Sequence, residues 1–102
     1  PYTVVDEYDV PEEMREAIAD QEQESFLYTW ANEGRLYIAR GYGKQDMAGY
    51  QIQVDAFYES SNVLVFATTL LGPEPDTDTE HGTTCPYLVI QTDYNPKHVI
   101  TK

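Results

Sequence analysis

The acidic segment that contains Asp76, Asp78 and Glu80 holds the residues best suited to metal chemistry. Carboxylates at alternate positions open calcium-binding loops, where their oxygens reach one hard cation. The rest of such a loop is missing, because His81 stands where the sharp turn requires glycine and Tyr87 stands where a bidentate glutamate is required. The pattern favours a solvated acidic loop, and we predict no metal site.

A thiol nucleophile is the second chemistry that the residue types permit. Cys85 is the only cysteine, and His81 or His98 would have to act as its base. A single cysteine at the entrance of an apolar segment more often fills a small buried position than attacks a substrate. We therefore predict no catalytic residues, and an enzyme that uses Cys85 or the acidic loop stays as an alternative.

A phosphate-binding loop is the third chemistry, suggested by Gly41 and Gly43. The third glycine of a dinucleotide-binding loop is absent, because Asp46 occupies its place. The following residues alternate as a strand, so no helix N-terminus is available to hold a pyrophosphate. We predict that the chain uses no cofactor.

Composition and length limit the classes of partner and the number of domains. The 102 residues include 18 acidic and 6 basic residues, and the formal net charge is −12. This charge repels nucleic acid and anionic lipid, so neither is an expected partner. No stretch approaches the roughly 18 apolar residues that a membrane span requires, and one domain suffices for this length. Because the chain starts at Pro1 rather than Met, we expect that a leader or anchor has been removed.

The chain divides into an acidic N-terminal segment at 1–25 and a β region at 26–102. In the first segment Pro11 and the acidic residues after it favour a helix start, and we predict a helix over 11–23. The residues Met14, Ala17, Ile18 and Gln21 form a narrow stripe that can cover a sheet. The two segments together are expected to form a single domain, 1–102.

Two-residue alternation dominates after Phe26 and predicts a mainly β fold. We expect strands at 26–31, 36–40, 50–58, 63–70, 86–92 and 98–101. The glycine-rich segment 41–49 and the acidic, proline-rich segment 72–82 are predicted as loops. The pattern is typical of a small antiparallel β-sandwich or bent barrel of about six or seven strands with one N-terminal helix, an α+β domain.

The two predicted loops and the tyrosines beside them form the candidate binding surface. Tyrosine offers a large contact area at low entropic cost, and prolines fix a loop before it binds. The predicted partner-binding residues are Tyr42, Met47, Gly49, Tyr50, Pro73, Pro75, Pro86 and Tyr87. The alternative is a structural role, in which about half of the tyrosines simply fill a small core.

The order of these motifs resembles the PrcB C-terminal domain family over about residues 36–101. The resemblance is carried by a Gly-Tyr-Gly at 41–43, an Ala-Gly-Tyr at 48–50, the prolines at 73 and 75, and a Pro-Tyr-Leu-Val-Ile at 86–90. It implies a small β-rich domain on an exported bacterial protein, often a lipoprotein. The name-giving member associates with a cell-surface protease complex and supports its assembly or stability, and the resemblance implies no catalytic residues.

This chain differs from the family pattern at two of those motifs. Met47 and Ala48 stand where the family tends to have Thr or Ser followed by Gly, and Cys85 stands where it tends to have Tyr. These differences concern the identity of the partner. The layout is also similar in outline to small β-sandwich protease inhibitors.

We therefore expect a non-enzymatic, exported accessory domain that binds another protein, and the resemblance implies a cell-surface protease complex as the partner. The expected location is extracellular or in the bacterial cell envelope, by secretion or by a lipid anchor. A protease inhibitor that acts through the loops at 41–50 and 72–86 is the alternative. A structural module, which the acidic helix spaces from an anchor, is a further one.

Overall fold

A computed structural model describes residues 1–73 and 81–102, which form a mainly β structure with one α-helix. The elements in chain order are β1 (Thr3–Val5), a 3₁₀ helix (Glu7–Asp9), α1 (Glu12–Gln21), β2 (Ser25–Asn32), β3 (Arg35–Tyr42), β4 (Gln45–Met47), β5 (Gln51–Glu59), β6 (Val63–Leu71), β7 (His81–Thr84), β8 (Tyr87–Asp93) and β9 (His98–Thr101).

The described strands form three sheets. The four-stranded sheet has the order β1-β8-β3-β2, the three-stranded sheet has the order β5-β6-β9, and β4 pairs with β7 as a two-stranded ribbon. All pairs are antiparallel except β6 with β9, which is parallel. The described strands close no barrel, and β1 and β5 are edge strands on the same side of the molecule.

The β2–β3 hairpin sets the register of the four-stranded sheet. Asn32 pairs with Arg35, so only Glu33 and Gly34 form the turn. Both residues have positive φ, 50° and 77°, which is the geometry that two-residue hairpin turns require. This turn and the β5–β6 turn at 60–62 lie at the same end of the sandwich, which we call the turn end.

One core cluster lies between the helix and the four-stranded sheet. Met14 and Ile18 of α1 are fully buried and pack against the sheet face that carries Phe26, Ala39 and Val89. The predicted helical stripe is therefore confirmed, since Ala17 and Gln21 are half-buried beside it. The helix itself runs from Glu12 to Gln21, shorter than predicted at both ends.

The second core cluster lies between the two larger sheets. It contains Ile38 and Ile90 from one sheet, Phe66 and Leu64 from the other, and Val99 from β9. The four-stranded sheet thus buries apolar residues on both faces, which explains why β3 and β8 are apolar at consecutive positions. The prediction of a mainly β layered domain with one helix is confirmed.

Three sequence predictions need correction. The described residues contain nine strands rather than six or seven. The segment 41–49 is not a continuous loop, because β3 extends to Tyr42 and β4 occupies Gln45–Met47. The segment 72–82 likewise ends in β7, which starts at His81. These short strands pair with each other across a long stretch of chain, so neither has a local sequence signal.

Candidate functional site

The end of the sandwich opposite the turn end brings together most of the predicted binding segments. There β3 and β6 end, β5 and β8 begin, and the β4–β7 ribbon connects the segments 41–50 and 81–86. The hydroxyl of Thr84 donates to the carbonyl of Met47 at 3.0 Å and ties the ribbon together. We call this region the cleft end.

A cleft of about 520 Å³ opens at the cleft end. Its walls come from three parts of the chain. These are Val5 at the end of β1 with Glu7 in the 3₁₀ helix, residues 50–52 where the chain enters β5, and residues 85–89 where it enters β8. The volume lies within the range of about 300–1,000 Å³ that is usual for ligand pockets. The cleft is therefore large enough to bind a few side chains of a partner.

Three of the predicted binding residues line this cleft, namely Tyr50, Pro86 and Tyr87. The loop after β6 lies beside them, since a Cβ added at Gly72 would sit 3.7 Å from the ring of Tyr50. The next residue, Pro73, is half-buried. Pro75 lies outside the described residues, as do Asp76, Asp78 and Glu80 of the acidic loop.

Met47 and Gly49 lie near the cleft without lining it. Met47 is half-buried in β4, where it pairs with His81 in the ribbon. Gly49 is exposed and has φ 94°, so it provides the turn that leads from the ribbon into β5, as its position in the sequence suggests. The roles of both residues in binding stay predictions.

Tyr42 points into the sandwich rather than into the cleft. Its hydroxyl lies 2.5 Å from the hydroxyl of Thr68, which is buried between the sheets. The guanidinium carbon of Arg40 lies 4.1 Å from the centre of its ring, a cation–π contact. The hydroxyl contact connects the end of β3 to β6, and the cation–π contact within β3 fixes the ring, so Tyr42 has a structural role.

Tyr87 is the cleft residue with a shifted acidity. Burial raises the pKa of its phenol, and the carboxylates of Glu7 and Glu22 raise it further, while Arg15 opposes part of this effect. The folded state therefore favours the neutral phenol. Tyr87 acts in the cleft as an amphipathic wall with one polar tip, not as an anionic group.

Cys85 is half-buried in the cleft wall, and its sulfur accepts a hydrogen bond from Nε2 of Gln23 at 3.6 Å. The pairing with His98 that a nucleophilic site could use does not form, because His98 pairs with Val63 at the turn end. Within residues 1–73 and 81–102, no cluster of three histidine, cysteine or carboxylate side chains is suited to holding a metal.

Sequence reasoning missed the remaining walls of the cleft. Ile52 and Leu88 carry strand signals only, and nothing local distinguishes them from core residues. Val5 and Glu7 come from the acidic N-terminal segment, to which we assigned no binding role. Their position depends on the pairing of β1 with the distant strand β8, which the sequence pattern does not specify.

No helix in the described part of the chain is both long and apolar enough to cross a bilayer.

A family model described as PrcB C-terminal matches residues 36–93, more than half of the chain. The match begins in β3 and ends with β8, so it includes Tyr50, Pro86 and Tyr87 but neither Val5 nor Glu7. No curated protein and no solved structure matches the chain significantly.

Proposed function

The chain belongs to the PrcB C-terminal family, and from this membership we propose that it is a non-enzymatic accessory domain that binds another protein through its cleft end. The observation that carries the proposal is the convergence of Tyr50, Pro86 and Tyr87 in one cleft. Tyr87 lies in β8, and Tyr50 and Pro86 directly precede β5 and β8. Aromatic and apolar side chains held in place by paired strands lose little entropy on binding, which suits protein recognition.

The proposed partner is a component of a cell-surface protease complex. The family name supports this partner, because the resemblance implies association with such a complex. The formal charge of −12 supports a partner with a basic surface, since opposite charge accelerates encounter and like charge disfavours wrong partners. We also propose that the protein is exported and resides in the cell envelope or outside the cell.

Affinity capture from an envelope extract of the source organism tests this proposal. Three baits are compared. They are the wild-type chain, a Met47→Asp/Tyr50→Ala variant that alters the cleft end, and a Tyr94→Ala control at the turn end, where Tyr94 is 55% exposed. We expect a protease or a subunit of its complex to be retained by the wild type and the control and lost with the cleft variant. Equal retention of the partner by all three baits would contradict the assignment of the binding site to the cleft end. Capture of no protein by the wild type would contradict the proposed protein-binding function.

A protease inhibitor is the second candidate function. It is favoured by the β4–β7 ribbon, which places the segments 41–50 and 81–86 side by side at one end of the domain. Mixing the chain with the captured protease, and with representative cysteine and serine proteases, separates the two functions. Stoichiometric loss of peptidase activity supports an inhibitor, whereas binding with full activity supports the accessory role.

A further inference from the structure

The start of β8 has an open side within the cleft. β1 pairs with β8 only at residues 89–91, because the chain leaves the sheet after Val5 and enters the 3₁₀ helix. Residues 87 and 88 pair with Gly41 and Arg40 of β3 on their other side. Among the described backbone hydrogen bonds, none reaches residues 87 and 88 from the side of β1.

The opposite wall of the cleft is also a free strand edge. Among the described strands β5 is an edge strand that pairs with β6 alone, and its first residues, Gln51 and Ile52, face the cleft. The opening continues along β1, where Val4 is 51% exposed although it pairs with the fully buried Ile90. Two free edges and exposed apolar side chains thus lie along one side of the sandwich.

The charge at this opening is negative. Glu7 lines the cleft, and its carboxylate takes part in neither of the two ion pairs that the described residues form. Arg15 lies close by, but it donates to the backbone carbonyls of Glu7 at 2.9 Å and Val10 at 3.2 Å. The Glu7 carboxylate is therefore available to a cation from outside the domain.

We propose that the cleft binds an extended segment of a partner protein by strand addition, antiparallel to β8 beside Tyr87. Pro86 takes no part, because it has no N–H and its carbonyl accepts from the backbone N–H of Tyr42 at 3.2 Å. The segment carries alternating apolar and basic side chains, with an apolar side chain between Ile52 and Leu88 and a Lys or Arg at Glu7. Backbone hydrogen bonds supply the affinity, and the alternate side chains supply the specificity. The inference rests on the proposed function, because it specifies how the partner occupies the same cleft.

Short peptides in which Val and Lys, Leu and Arg, or Phe and Lys alternate are suitable probes, and a Val/Glu peptide is the charge control. Binding to the intact chain is followed by NMR, which detects weak complexes. We expect the basic peptides to slow amide exchange at the start of β8 and to bind about tenfold more weakly when alternate backbone amides are N-methylated. The Val/Glu peptide should not bind.

Cys85 provides a second measurement that requires no destabilising substitution. It is the only cysteine and it lies in the cleft wall, so a bulky maleimide attaches at one known position. Bound peptide should protect Cys85 from the maleimide, and labelled protein should not bind peptide. The Glu7→Gln variant should weaken the basic peptides by about fivefold, whereas Glu33→Gln at the exposed β2–β3 turn should not.

Several outcomes would overturn the inference. Equal binding of the N-methylated peptides would exclude strand addition, and equal binding of the Val/Glu peptide would exclude the basic preference. If Cys85 becomes protected from the maleimide at high protein concentration in the absence of peptide, the occupant of the cleft is a second copy of the chain. Capture of a protease partner together with failure of all peptides would reject strand addition while leaving the proposed function intact.

Discussion

The two ends of the sandwich differ in how their strands are connected and in where their charged side chains pair. At the turn end short turns join neighbouring strands, and the two described ion pairs, Arg35 with Asp93 and Lys97 with Glu59, lie there. At the cleft end no short turn joins neighbouring described strands of the two larger sheets. Instead, the β4–β7 ribbon pairs the segments that follow β3 and precede β8. The turn end contains both of these ion pairs, while the cleft end leaves described strand edges open and the Glu7 carboxylate outside both pairs.

This difference separates the residues that determine strand register from those that we propose to contact a partner. The turn end determines the register of both hairpins, and the core between the sheets connects the two ends. Substitutions at the turn end should therefore act on stability alone. At the cleft end, residues that point inward and residues that point outward should be separable by measuring stability and binding together.

The largest expected effect comes from a glycine at the cleft end of β3. A Cβ on Gly41 would lie 2.0 Å from Cε1 of Phe26, so Gly41→Ala forces the buried ring to move. We expect a loss of about 3 kcal/mol in the free energy of unfolding, measured by urea denaturation. At the turn end, Gly34→Ala meets no atom within 4 Å and suffers only from its φ of +77°, which costs about 1 kcal/mol.

An equal loss in the two glycine variants would show that Phe26 can move without cost. In that case the cleft end would be no more tightly packed than the turn end, and the comparison would fail at this point.

A smaller effect is expected from the hydroxyl of Tyr42. Tyr42→Phe removes the group that lies 2.5 Å from the buried Thr68 hydroxyl. The partner left behind then lacks a hydrogen bond, and we expect a loss of about 1–2 kcal/mol in thermal or urea unfolding. The control is Tyr94→Phe at the turn end, which should change stability by less than about 0.5 kcal/mol because Tyr94 is exposed.

The same pair of variants tests the predicted binding role of Tyr42. Captured partner should be retained by Tyr42→Phe, because the hydroxyl points between the sheets. Loss of the partner with unchanged stability would instead assign Tyr42 to the contact surface.

The smallest effect is expected from the ion pair of Glu59 and Lys97. The hydrogen bond from Lys97 lowers the pKa of the Glu59 carboxyl, with smaller contributions from Asn95 and from the Lys97 charge. A lowered pKa stabilises the folded state above the ordinary pKa of glutamate, and this contribution disappears as the pH falls through the folded value. NMR titration of the Glu59 side chain should show its pKa rising in Lys97→Met.

Stability measured between neutral and acidic pH provides the matching check. The Lys97→Met variant should lose slightly less stability on acidification than the wild type does. An unchanged Glu59 titration in the variant would show that the pair does not persist in solution, as is common for exposed ion pairs.

The sequence predicts the parts of the fold that depend on neighbours in the chain. The helical stripe of Met14 and Ile18 and the two hairpins were found from periodicity and turn residues. The glycine at position 41 was predicted to belong to a loop, whereas it lies in β3 and makes room for Phe26. A glycine needed for close packing has the same sequence signal as a glycine needed for a turn.

The candidate site was predicted in part, for a related reason. Tyr50, Pro86 and Tyr87 stand out by type, and the structure brings them together. Glu7 and Val5 do not stand out, because they reach the cleft through a pairing between opposite ends of the chain. The parallel pairing of β6 with β9 was missed similarly, since strand direction within a sheet depends on topology and not on alternation.

The β1–β8 pairing also has a consequence for folding kinetics. It joins Thr3 to Gln91, and we expect a contact of such sequence separation to form after local hairpins such as β2–β3 and β5–β6. Val5 and Glu7 complete the cleft only when this pairing exists. We therefore expect the cleft to be assembled late in folding, so that a partner that binds it would select chains in which these two distant segments are already paired.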